Sequence, residues 1–181
     1  MVCILLGAGF EESEALVPAD LLRRAGVEVA LTALEGREVT GGHGITVRAN
    51  LSLDQVDPGN VELIFLPGGL GGVEAISSCP QALDLVRQLY GQGRYVAAIC
   101  AAPTILAGLG LLEGRKAVCY PGMEAQLTGA VLQKGTPVVE DGTIITGEAA
   151  GSAFSFGLRL VELLRGPAVA AKIRESVHYH G

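Results

Sequence analysis

Three features of the 181-residue sequence predict an α/β fold built on a doubly wound, mostly parallel sheet. Short apolar runs alternate with segments of helical periodicity from the first residue to about Arg174. Those runs are almost continuously apolar, as strands covered on both faces require. The 26 glycines follow no Gly-X-Y period and so mark tight turns between elements rather than a collagen-like chain. The expected arrangement is flavodoxin-like, with helices on both faces of the sheet, a small antiparallel hairpin, and one domain spanning residues 1–181.

Strands are expected at Val2 to Leu6, Val27 to Thr32, Leu63 to Leu66, Tyr95 to Ile99, Ala117 to Tyr120 and Ile144 to Thr146, each bounded by Gly, Pro or charge. Helices are expected around Glu14 to Arg24, Gln81 to Gln92, Pro103 to Leu109, Ala153 to Arg165 and Pro167 to Val177. In the fourth helix Phe154, Leu158 and Val161 recur at the spacing of a core-facing stripe. Between Glu38 and Ala49, the run Gly41-Gly42-His43-Gly44 joins two β-prone stretches and reads as a hairpin. Sheets of this kind bind ligands at the carboxyl ends of their strands, so the strand-to-helix junctions are the places to look for chemistry.

Charge and cysteine usage narrow the field. With 13 Lys and Arg against 19 Asp and Glu the net charge is -6, which repels nucleic-acid phosphates and anionic membranes alike. The first apolar run is too short for a signal-peptide core or a spanning helix, so a cytoplasmic protein is expected. Cys3, Cys79, Cys100 and Cys119 form no C-x-x-C pair and are expected to be free thiols. An isolated His178-x-His180 at the chain end does not define a metal site, and neither metal nor cofactor is expected.

Three junctions carry candidate chemistry. After the first strand, Gly7-Ala8-Gly9-Phe10-Glu11-Glu12-Ser13-Glu14 lacks the third glycine of a dinucleotide fingerprint, and its three carboxylates would repel a pyrophosphate. These acids either complement a helix dipole or supply a general acid or base, and Glu14 is the candidate singled out. Pro18 cannot donate to the carbonyl of Glu14, so the helix either starts late or leaves that acceptor free. After the third strand, Pro67-Gly68-Gly69-Leu70-Gly71-Gly72 has no P-loop Lys and is either a plain tight turn or an oxyanion-stabilising loop of bare amides.

The most informative junction is Ile99-Cys100-Ala101-Ala102-Pro103, where a buried strand turns directly into a helix opened by proline. This is a nucleophile elbow built with cysteine, and its neighbours are small, as the tight turn demands. A thiol at a helix N-terminus is expected to favour thiolate. Only His43, His178 and His180 exist, none beside Cys100, which leaves Glu14 to share a proton with the thiol.

The motifs Glu11-Glu12-Ser13-Glu14, Leu66-Pro67-Gly68-Gly69, Ala97 to Pro103 and Gly151-Ser152-Ala153-Phe154 together resemble the ThiJ/PfpI superfamily, in the branch of the parkinsonism-associated deglycase and its bacterial homologues. The resemblance implies that Cys100 is the reactive cysteine, Glu14 its hydrogen-bonded acid, and the amides of Gly69 and Ala101 the oxyanion pocket, with Gly68 beside them. It further implies a homodimer acting on small α-oxoaldehydes or early glycation adducts, or serving as an oxidative-stress sensor or chaperone. Arg24, His43 and Gly151 are further candidate substrate contacts. The protease-like branch has His directly after its cysteine, where this chain has Ala101, which disfavours a Cys-His peptidase or amidohydrolase. Ala130 stands where some relatives carry a further His, leaving a Cys-Glu dyad.

Overall fold

The computed structural model describes residues 1–181. In chain order the elements are β1 (Val2–Leu6), α1 (Glu12–Arg24), β2 (Val29–Ala33), β3 (Glu38–Thr40), β4 (Thr46–Arg48), β5 (Leu51–Ser52), β6 (Leu63–Leu66), α2 (Leu70–Ser77), α3 (Pro80–Gly91), β7 (Tyr95–Ile99), α4 (Pro103–Gly108), β8 (Lys116–Ala117), β9 (Val131–Leu132), β10 (Val138–Asp141), β11 (Ile144–Gly147), α5 (Ala153–Arg165) and α6 (Pro167–Ser176). Seven strands form one sheet in the order β10-β11-β7-β6-β1-β2-β5. Every pairing in it is parallel except β10 with β11.

Strand alternation sends side chains to two cores. On one face Val2, Ile4 and Leu6 of β1 pack with Leu21 and Leu22 of α1 and Phe156, Leu160 and Val161 of α5. On the other, Cys3 and Leu5 meet Ile76 of α2, Val86 and Leu89 of α3, and Leu106 of α4. Phe65 of β6 and Phe156 lie with ring centroids 5.2 Å apart, joining sheet to helix. Each such buried side chain contributes about 1.5 to 3 kcal/mol through removal from water.

The chain runs from β1 to β2 on one side and from β6 through β7 to β11 on the other, so the strand order reverses between β1 and β6. Loops leaving β1, β6 and β7 meet at this reversal, where a doubly wound sheet opens a crevice.

Several expectations are corrected. The second strand starts at Val29 rather than Val27 and runs on to Ala33. The strand expected at Ala117 to Tyr120 shrinks to Lys116–Ala117, which pairs with β9 outside the main sheet. There the amide of Val118 donates to Thr146 Oγ1 (3.0 Å) and that of Tyr120 to the carbonyl of Cys100 (2.8 Å), so these residues brace the elbow instead of extending the sheet. The hairpin forms its own two-stranded sheet, and the antiparallel edge is β10. Helix α2 begins at Leu70, inside the glycine run read as a tight turn or a loop, and takes in Gly71 and Gly72. Its glycines permit close packing, since a Cβ on Gly72 would lie 2.8 Å from Phe10 Cα. Helix α1 begins early, at Glu12, and passes through Pro18, so the Glu14 carbonyl receives no bond from four residues on. In α5, Leu158 and Val161 face inward, but Phe154 is 40% exposed and stacks on Tyr179 near the chain end.

Candidate active site

Cys100 leaves β7 with φ +65°, a left-handed backbone uncommon for a residue with a side chain. Its N–H donates to the carbonyl of Gly147 (3.0 Å) and its carbonyl accepts from Tyr120 N–H (2.8 Å), so both neighbours hold it in that conformation. Backbone strain of this kind persists only where surroundings over-determine it and is common at sites of chemistry. The elbow read from sequence is present, and Cys100 is half-buried rather than sealed. All four cysteines are free.

Glu14 reaches Cys100 from the first turn of α1. Its side chain is 1% exposed, with Oε2 accepting from the amide of Gly68 at 2.9 Å and Oε1 without a hydrogen-bond partner. Gly68 lies between the two groups: a Cβ there would fall on Glu14 Oε2 and 2.7 Å from Cys100 Cβ, so no larger residue fits. The carbonyl of Gly68 also accepts from Glu11 N–H (3.0 Å), and these two bonds fasten the start of α1 to the loop after β6.

Burial raises the Glu14 carboxyl to about 7, against the smaller opposing pull of the Cys100 thiol and the Gly68 amide. Glu14 is therefore substantially protonated near neutrality. Cys100 corrects an expectation: burial, followed by the charge of Glu14, pushes its thiol up to about 12 instead of favouring thiolate. The amides of Ala101 and Gly69 point at the sulfur and pull the other way. Helix α4 has only six residues, and its dipole does not overcome desolvation.

The remaining expected contacts divide. His43 joins α1 through Glu12, with Nδ1 2.9 Å from Oε2. Gly151 is exposed in a short turn after β11. Arg24 does not line this chain's crevice; it closes the far end of α1, about 15 Å along the helix from Glu14, and pairs with Asp20 at 2.7 Å. Ala130 bonds back to Leu127 before β9 and brings no proton carrier. Sequence reasoning missed the bracing by Gly147 and Tyr120 and the pairing of Glu12 with His43. Residues two apart on a helix differ by about 200° in direction, which separates the partners of Glu12 and Glu14.

A concavity of about 1300 Å³ lies away from Cys100, between the hairpin, β5 and the α2–α3 connection, lined in part by Ala8, Arg37, Thr40 and Cys79. No helix is long and apolar enough to cross a membrane.

Relatives of similar length share this architecture. Protein dj-1beta of Drosophila melanogaster is 39% identical over 166 residues, covering 90% of this chain and 88% of the relative. Its crystal structure superposes with a TM-score of 0.95 over 99% of this chain and 98% of that one. A deglycase of Pyrococcus horikoshii is 31% identical over 165 residues, 91% of this chain and 99% of the relative. A structure of Toxoplasma gondii DJ-1, described as oxidized, is 32% identical with a TM-score of 0.94 and covers 99% of this chain and 98% of that chain. A sequence model described as the DJ-1/PfpI family matches residues 1–163, and the chain belongs to that family.

Proposed function

We propose that the protein is a cysteine-dependent, glutathione-independent enzyme of glyoxalase and deglycase type, acting on small α-oxoaldehydes or their early protein adducts. The observation that carries this reading is the buried Glu14 carboxyl, raised to about 7, set against Cys100 on a strained elbow with two amides aimed at the sulfur. The raised thiol and the titrating acid act as one unit. Cys100 Sγ attacks the aldehyde carbon as its proton passes to the Glu14 carboxylate, so the sulfur needs charge only while bonding. The aldehyde oxygen becomes the oxyanion of a hemithioacetal, held by the N–H groups of Gly69 and Ala101. Glu14 returns that proton to the hemithioacetal oxygen, and the carboxylate so freed takes the proton from the former aldehyde carbon and delivers it to the adjacent keto carbon as the hydroxyl proton passes to the keto oxygen, giving a thioester of the 2-hydroxy acid. Water cleaves the thioester and restores the thiol, so methylglyoxal plus water becomes lactate. No cofactor enters this scheme.

The test is lactate formation from methylglyoxal without glutathione. Cys100→Ala is expected to abolish it and Glu14→Gln to lower kcat at least about a hundredfold, the usual contribution of a positioned acid or base. Full activity in Cys100→Ala overturns the reading.

A second reading is favoured by the same neutral acid and by the oxidized relative from Toxoplasma. A protonated Glu14 can hydrogen-bond a sulfinate on Cys100 and halt oxidation there, making the protein an oxidative-stress sensor or chaperone. Peroxide titration with mass spectrometry tests it; oxidation of Cys100 no faster than of buried Cys3 and Cys119 counts against sensing. A homodimer and a cytoplasmic setting accompany both readings as proposals.

A further inference from the structure

Thr146 and Thr32 are the two polar residues with no exposed surface at all. Thr146 stands in β11, a strand buried at every position. Valine has the same branched shape and would fill that place without taking a hydroxyl out of water. A buried hydroxyl calls for a partner, and here it is the amide of Val118, which donates to Thr146 Oγ1 at 3.0 Å. No other side chain of the central sheet bonds to segment 118–120, since the Cys119 thiol meets only the neighbouring Tyr120 carbonyl.

Two residues on from Val118, the Tyr120 amide donates to the carbonyl of Cys100 at 2.8 Å, while the Cys100 amide donates to the carbonyl of Gly147 at 3.0 Å. Both grips on Cys100 therefore trace back to adjacent residues of one strand. Gly147 acts through its own carbonyl, and Thr146 acts through Oγ1, Val118 and Tyr120. In register Thr146 lies beside Ala98 and Gly147 beside Ile99, level with the end of β7 where the elbow begins. Gly147 has no room for a side chain, because a Cβ there would lie 2.8 Å from both Ile99 and Phe156. Cys100 has φ +65°, and a residue with a side chain leaves that region for right-handed or extended backbone unless its surroundings hold it. Released at its carbonyl, the elbow would carry the sulfur away from Glu14 and from the amides of Gly69 and Ala101.

We propose that Thr146 is a positioning residue for the nucleophile: its buried hydroxyl fixes segment 118–120, whose Tyr120 amide keeps Cys100 in the left-handed conformation that sets the sulfur against Glu14. The inference rests on the reading of Cys100 and Glu14 as the reacting pair. It explains why a strand otherwise made of isoleucine and glycine carries a hydroxyl at this one position.

Thr146→Val removes the acceptor and Thr146→Ser keeps it, and thermal melting establishes that each is folded. Thr146→Ala removes the same oxygen without crowding Val118 and replaces the valine variant should that one not fold. Alkylation of Cys100 by iodoacetamide at pH 8, read by mass spectrometry, requires no turnover. Burial and then the charge of Glu14 raise this thiol, so a sulfur released from both ionises more easily. A fall of one pKa unit multiplies the thiolate about tenfold and, after the accompanying loss of nucleophilicity, the rate about threefold. Thr146→Val should show a rise of at least that size, with Thr146→Ser at the wild-type rate and Cys3 unchanged in both. In a Glu14→Gln background the factor from Thr146→Val should shrink, because the acid that Thr146 acts through is gone. In the lactate assay Thr146→Val should lower kcat at least about tenfold and leave KM in place, as misplacement of reacting groups does. A wild-type Cys100 rate in Thr146→Val, equal acceleration of Cys3, failure of serine to restore the rate, an undiminished factor in Glu14→Gln, or an unchanged kcat each overturns the positioning role. Absence of lactate from wild type overturns the enzyme reading instead, and the alkylation rates then decide the role of Thr146.

Discussion

Replacing Glu14 by glutamine gives a stability signature whose size follows from its environment. A carboxyl near 4.5 when unfolded and about 7 when folded keeps its proton over that interval only in the folded chain. The folded state then binds more protons than the unfolded one, so this group makes stability fall as pH rises from about 4.5 to 7. At about 1.36 kcal/mol per pKa unit the full interval corresponds to about 3 kcal/mol. Glu14 is 1% exposed, so solvent screening removes little of it. Glutamine keeps an acceptor for the Gly68 amide and does not ionise. The variant should match wild type near pH 4.5 and exceed it by about 1 to 3 kcal/mol at pH 8. Urea unfolding at fixed protein concentration measures the difference, and contributions from other titrating groups cancel between the two proteins. A difference that stays constant or shrinks between the two pH values would refute the assignment of a buried, proton-holding acid at position 14.

Other outcomes follow from the same geometry. In Glu14→Gln the charge facing the sulfur is gone, so Cys100 alkylation by iodoacetamide at pH 8 should be faster than in wild type; an unchanged rate would mean that Glu14 does not raise the thiol. Gly68→Ala drives a methyl onto Glu14 and toward Cys100, and should lower stability by about 1 to 3 kcal/mol and eliminate lactate formation, checked by thermal melting and by the lactate assay. Glu12 is held at about 2 despite its burial by bonds from His43 and Ile45, a depressed carboxyl whose stabilisation is present above about 4.5 and lost as pH falls through 2. Glu12→Gln should therefore unfold more easily at pH 7 and converge on wild type in strong acid, which urea titration at both pH values would measure. Phe156→Ala, which empties the contact with Phe65, should cost about 3 to 5 kcal/mol by the same method.

The buried strands β1, β6, β7 and β11 were legible because a strand covered on both faces must be apolar along its length, and the chain has few other ways to hide such runs. The elbow at Cys100 was legible because its requirements are local: a buried strand, small neighbours and a proline opening the next helix. Helix α2 was not, because glycines that weaken a helix in isolation are required here by the nearby Gly7–Phe10 loop. Phe154 obeyed the helical period yet faced outward, where the ring of Tyr179 from the chain end receives it.

By itself, then, the sequence determined the buried strands of the sheet, the junctions that open on its crevice and the cysteine elbow among them, since each follows from neighbours close along the chain, whereas it left Glu14 open between a helix-dipole role and a role as acid or base. Tertiary structure alone decided the protonation of that pair, because desolvation depends on what folds over Glu14 and Cys100. It also decided that His43 belongs with Glu12, 31 residues away, a meeting created by the hairpin's return to α1 and written in no local spacing.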